Sequence, residues 1–156
     1  MSTPRLLVVG FGNILLGDEG IGVRAIEALQ ASGFVDPRVT FIDGGTSAMD
    51  LLDTLAGVDA LVLIDAVRSG LAPGEIVRYA DAAVPVALRM RASSHQAGIA
   101  EVLASLVLME QAPGVVVLIG VEPLVLEMGL TLSPPVAAAL PGLVTMVLEE
   151  IRRLLP

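Results

Sequence analysis

The chain has 156 residues, 54% of them hydrophobic, with 17 acidic against nine basic residues and a net charge of -8. That length suffices for one domain with a proper core, here spanning residues 1–156. The acidic balance and scattered cations exclude a nucleic-acid surface, and the absence of cysteine excludes disulfides, thiolate metal sites and a cysteine nucleophile.

Mean hydropathy is +0.82, yet Gly, Pro or acids interrupt the apolar runs well short of the ~20 residues a membrane span needs. The opening MSTPRLLVVG runs straight into a strand with no secretory pattern. The expectation is therefore a soluble, cytoplasmic protein whose strands are buried on both faces.

Leu6 to Val9 reads as a buried strand, followed by the glycine-punctuated turn GFGNILLGDEGIG and a helix to about Ala31, stopped by Gly33. Asp18 is placed to cap that helix, and Ile21, Ala25 and Leu29 share one of its faces. Two phosphate-binding patterns nearly fit and fail informatively. After Gly10 and Gly12 a dinucleotide fingerprint requires glycine where Leu15 stands, and Asp43 lies too far along for a ribose contact. A phosphate loop would continue beyond Gly17 with Lys, whereas Asp18 and Glu19 follow, and two carboxylates repel a phosphate. The same geometry suits a cation. As a plain first-turn acid, Glu19 would gain only about 0.3–1 kcal/mol from the helix dipole.

Val39 to Ile42 reads as the second strand, ending at Asp43 in DGGTS, where Ser47 and Asp50 match a capping box for a helix to about Leu55. ALVLIDAV is a central strand carrying Asp65 near its C-terminal end. A carboxylate there must be paired, hydrogen-bonded or metal-bound, and Arg68 is the nearest cation in sequence. Glu75 to Tyr79 is a shorter edge strand of mixed polarity, possible in antiparallel orientation. Ala80 to Ala92 shows no period and contains Pro85, which predicts a loop and a substrate-facing flap.

Ser93 and Gln96 match a second capping box, which puts His95, the sole histidine, in the first turn of a helix continuing through Ile99, Val102, Leu103 and Leu106. Val115 to Val121 is a further buried strand, ended by Glu122 and Pro123, and Gly129 to Ser133 a loop. Ser133 and Pro134 open a last helix, kinked at Pro141, with Arg152 and Arg153 at its negative end. Alternating strands and helices imply a mostly parallel sheet with helices on both sides. Loops following parallel strands share one edge, so Glu19, Asp43, Asp65 and His95 are expected to converge there.

These segments, GFGNILLGDEGIG, DGGT at 43–46, LIDA at 63–66, SHQ at 94–96 and GVEP at 120–123, in this order and covering nearly the whole chain, resemble the hydrogenase maturation proteases. Members trim the C-terminus of the large subunit of nickel-iron hydrogenases. The resemblance implies a three-layer α/β/α sandwich on a largely parallel, about five-stranded sheet. It implies no need for ATP, and a partner that is a hydrogenase large-subunit precursor already carrying nickel. In that family the acid of GDEG, the acid ending the third strand and the histidine of SHQ bind the metal, which falls here on Glu19, Asp65 and His95. No pattern matches between Ala80 and Ala92.

Two carboxylates and an imidazole form an oxygen and nitrogen site that suits several divalent metals besides nickel, with room for ligands from another molecule. Asp43 has a supporting role in this reading. An aspartic mechanism, with Asp43 and Asp65 as catalytic pair, is a second possibility. A serine hydrolase using Ser47, Asp65 and His95 is a third, although Gly45 to Met49 lacks the final glycine of a nucleophile elbow. The fourth is a nickel-dependent chaperone that never cuts its client. The chain is expected to be a monomer or weak homodimer.

Overall fold

The computed structural model describes residues 3–89 and 95–156; the side chains of residues 95–97 lie outside that description. Five strands form one sheet in the order β2-β1-β3-β5-β4: β1 (Leu6–Phe11), β2 (Val39–Gly45), β3 (Ala60–Ala66), β4 (Ile76–Ala80) and β5 (Val115–Val121). All neighbours pair in parallel except β4 with β5, so the mixed-polarity strand is an antiparallel edge. Helices α1 (Ile21–Ala31), α2 (Leu52–Leu55), α3 (Ala83–Leu88), α4 (His95–Leu108) and α5 (Pro134–Leu154) complete the chain.

Residue parity divides the core. Leu6, Val8, Val62, Ile64, Val117 and Ile119 project to the face covered by α1 and α5. Leu7, Val9, Leu61, Leu63, Val67 and Leu118 project to the face that packs Leu55, Val84, Leu88, Ile99, Val102 and Leu106 of α2, α3 and α4. The central strands β1 and β3 are buried at every position, which is why they read as continuous apolar runs rather than alternating ones. Each fully buried Leu, Ile or Val contributes roughly 1.5–3 kcal/mol. The α5 helix is long and apolar enough by length and composition to cross a membrane; it instead lays Val136, Leu143, Val147 and Ile151 on the sheet.

Several local expectations are corrected. Asp18 does not cap α1: it sits in a single 3-10 turn, Gly17–Gly20, and Gly20 occupies the cap position without a side-chain bond. Ser47 likewise makes no side-chain cap; a 3-10 turn, Ala48–Leu51, precedes the four-residue α2. The segment after β4 is not wholly irregular, because α3 forms there with Pro85 in its first turn, where a missing N–H costs nothing. Its last residues, and the expected Ser93 and Gln96 capping box, fall outside the described side chains. At the other end α5 continues past Pro141, as expected, with Thr145 Oγ1 donating to the Pro141 carbonyl at 3.2 Å.

Candidate active site at the switch between β1 and β3

The connection leaving β1 runs outward to β2, while the one leaving β3 runs the opposite way, toward β4 and β5. In open parallel sheets such a switch point is where the strand ends part and a ligand crevice forms. Glu19 and Asp65 flank it, each supplied by one of those strand ends.

The turn carrying Glu19 is drawn tightly over the sheet. Gly12 takes a φ of +138°, and a Cβ there would lie 1.8 Å from the Glu19 carbonyl oxygen, so only glycine lets the chain fold back this closely. The turn packs against β3 and α1, and Glu19 is buried. Asp65 is fully buried, and its Oδ1 accepts the Ala66 N–H at 2.8 Å. By parity with Leu61 and Leu63 its carboxylate leaves the sheet on the α4 side. Arg68, the partner suggested by sequence proximity, lies exposed.

The α4 helix begins at His95. Gly98, one turn in, faces Ala48 in the turn that follows β2, with 3.8 Å between a Cβ built on Gly98 and the Ala48 Cβ. The helix entrance thus stands at the C-terminal rim, on the same side of the sheet as Asp65. The backbone brings Glu19, Asp65 and His95 to one rim, while the imidazole itself is outside the described side chains. Among the described side chains no group of three or more metal-ligating residues stands together. The chemistry of the donor set nevertheless fits a divalent ion: two carboxylates, one after β1 and one at the end of β3, and a histidine at the first residue of α4.

Asp43 is at the rim but apart from this group. It pairs in register with Gly10, which pairs with Ile64, so its side chain leaves on the α1 side. Two strand spacings, roughly 10 Å, separate it from β3. It is exposed, its Oδ1 accepts the Gly45 N–H at 2.9 Å, and it lines a depression of about 350 Å³ with Asn13, Leu15, Val23 and Thr46. Asp43 and Asp65 therefore do not face each other as a proton-sharing pair. Ser47 is exposed, in the connection that follows β2.

Asp18 is the residue whose role the sequence concealed. It is fully buried, and its carboxylate accepts four hydrogen bonds: Leu124 N–H at 2.9 Å, Val125 N–H at 2.8 Å, Ser133 N–H at 2.7 Å and Ser133 O–H at 2.7 Å. Burial pushes its pKa up, but the bonds from Val125, Ser133 and Leu124 together outweigh that and hold it below the usual carboxylate value. A local signal, an acid before a helix, suggested a cap; the donors that claim it lie more than a hundred positions away in the chain.

Comparison with known proteins shows the family and the fold. A family model described as hydrogenase maturation protease matches residues 23–150. The hydrogenase 2 maturation protease of Escherichia coli is 40% identical over 149 residues, covering 95% of this chain and 91% of that one. The hydrogenase expression/formation protein HupD of Thiocapsa roseopersicina is 41% identical over 152 residues, 96% of this chain and 69% of its own. The structure of the hydrogenase maturating endopeptidase HybD from E. coli superposes with a TM-score of 0.91 at 40% identity, over 96% of this chain and 93% of that one. The chain belongs to the hydrogenase maturation protease family and is a peptidase.

Proposed function

We propose that this chain removes the C-terminal extension from the large-subunit precursor of a nickel-iron hydrogenase, and that it recognises the precursor through nickel already seated there, using Glu19, Asp65 and His95. The observation that supports this most is the pair of buried carboxylates at the switch point, Glu19 after β1 and Asp65 at the end of β3, with the entrance of α4 at the same rim. An endopeptidase whose own ligand set is incomplete grips an ion that its substrate still holds. Contact with that ion brings the bond before the extension against the rim, where the metal polarises the scissile carbonyl or lowers the pKa of an attacking water. Asp43, on the flank, orients the substrate strand.

The test is to incubate nickel-loaded and nickel-free precursor with the protein and read the loss of the extension by mass. The loaded form is cut and the nickel-free form is not. Asp65→Asn, Glu19→Gln and His95→Ala each reduce cleavage at least a thousandfold while circular dichroism and melting stay near the parent's. Undiminished cleavage by His95→Ala would remove the metal contact, and a precursor that is bound but keeps its extension would favour a chaperone.

A further inference from the structure

The loop between β5 and α5 carries a set of apolar side chains that the fold leaves in water: Leu124, Val125, Met128 and Leu130 are 54%, 40%, 85% and 63% exposed, and Leu15 beside them is 51% exposed. This loop is stitched to the turn that bears Glu19. Gly17 N–H donates to the Gly129 carbonyl at 3.0 Å, Gly129 N–H to the Leu15 carbonyl at 2.8 Å, and Asp18 N–H to the Val125 carbonyl at 2.8 Å. Arg24 adds a bond to the Leu130 carbonyl at 3.0 Å. Beneath them the buried Asp18 carboxylate takes its four donors from Leu124, Val125 and Ser133.

We infer that Asp18 is a positioning residue for proteolysis. By locking the loop from Pro123 to Ser133 onto the Glu19 turn, it holds Leu15, Leu124, Val125 and Met128 as an apolar collar that seats an apolar segment of the client polypeptide beside the crevice. A buried carboxylate saturated with donors is a strong way to order a loop. The loop so ordered uses most of its apolar side chains outside the core, an exposure that folding does not call for. The occupant is the client chain because Leu15 belongs to the turn that bears Glu19, and the rest of the collar is hydrogen-bonded to that same turn, so the apolar side chains adjoin the site proposed to receive the client. The collar's own side chains are apolar, with Glu127 exposed among them, so the collar itself grips by burial instead of by long-range attraction. This inference rests on the action on the precursor proposed above and adds where that precursor is held.

Steady-state cleavage and direct binding of nickel-loaded and nickel-free precursor test it. Leu124→Ser and Met128→Ser alter only exposed side chains; together they raise KM and the Kd roughly tenfold, equally for both precursor forms, while kcat falls less than twofold. Asp18→Asn loosens the clamp: amide exchange at Leu124, Val125 and Ser133 speeds at least tenfold, and KM rises with it. His95→Ala, by contrast, removes only the nickel-dependent part of binding. Loss of that contrast with the collar effect intact would overturn the nickel reading and leave the collar standing. An unchanged KM in the Leu124→Ser, Met128→Ser double variant overturns the collar, whether or not Asp18→Asn folds. So does a parent dimer that this double variant dissociates with no change in KM, since the collar would then serve a second copy of the chain.

Discussion

Gly10 of β1 and Gly22 of α1 meet backbone to backbone: a Cβ on Gly10 would lie 2.0 Å from the Gly22 carbonyl oxygen. Seen from the helix, a Cβ on Gly22 would lie 2.3 Å from the Phe11 carbonyl oxygen and 2.4 Å from that of Ile64, the residue before Asp65. This contact draws α1 onto β1 and β3 together and so sets how deeply the Glu19 turn rests over the crevice.

Gly22→Ala should therefore damage both fold and site. The intruding methyl meets two carbonyl groups that belong to the sheet and cannot swing aside, so a loss of about 3 kcal/mol or more is expected in urea unfolding, together with loss of precursor cleavage. Gly142 in α5 has nothing within 4 Å of an added Cβ. Gly142→Ala should gain roughly 0.5–1 kcal/mol from helix propensity and leave cleavage intact. A Gly22→Ala protein as stable as its parent would contradict the close approach.

The edge strand β4 is tied to α5 by an acid with two arginines. Arg78 donates to Glu150 through Nε at 3.0 Å and Nη2 at 2.9 Å, and Arg153 also bonds the Glu150 carboxylate, which is buried. Burial raises the Glu150 pKa, yet the bonds from Arg78 and then Arg153 outweigh it and leave the pKa below the usual value. A folded-state pKa below the unfolded one means stabilisation that is complete above the unfolded pKa, about 4.3 for a glutamate. It is lost as pH falls through the folded value. Glu150→Gln should lower the melting temperature at pH 7 and weaken its fall below pH 4.5; a variant that keeps the parent's full acid slope would show that other carboxylates carry it.

Ser47→Ala should cleave precursor at the parent's rate, and a serine-directed phosphonate should leave the parent unlabelled. Ser47 is exposed, makes no cap bond, and follows β2, which β1 separates from the strand carrying Asp65. A hundredfold loss in Ser47→Ala would restore the serine mechanism.

The strands, the antiparallel edge and the positions of Glu19, Asp65 and the helix entrance at His95 were legible because each is a local pattern. Apolar runs ended by an acid mark buried strands meeting the C-terminal rim of the sheet. Other features were not local. Asp18 has the sequence neighbourhood of a cap, and Pro85 that of a loop, but the first serves Leu124, Val125 and Ser133, and the second sits where a helix needs no N–H.

The sequence by itself determined the sheet, the family likeness and which residue types stand at the strand ends, because backbone periodicity and turn chemistry are written in neighbouring residues. Tertiary structure alone decided that Asp43 and Asp65 leave opposite faces, that Glu150 gathers Arg78 and Arg153, and that Asp18 holds the loop after β5. Strand register and the partners of a buried charge depend on chain segments far apart in sequence, and only packing brings those together.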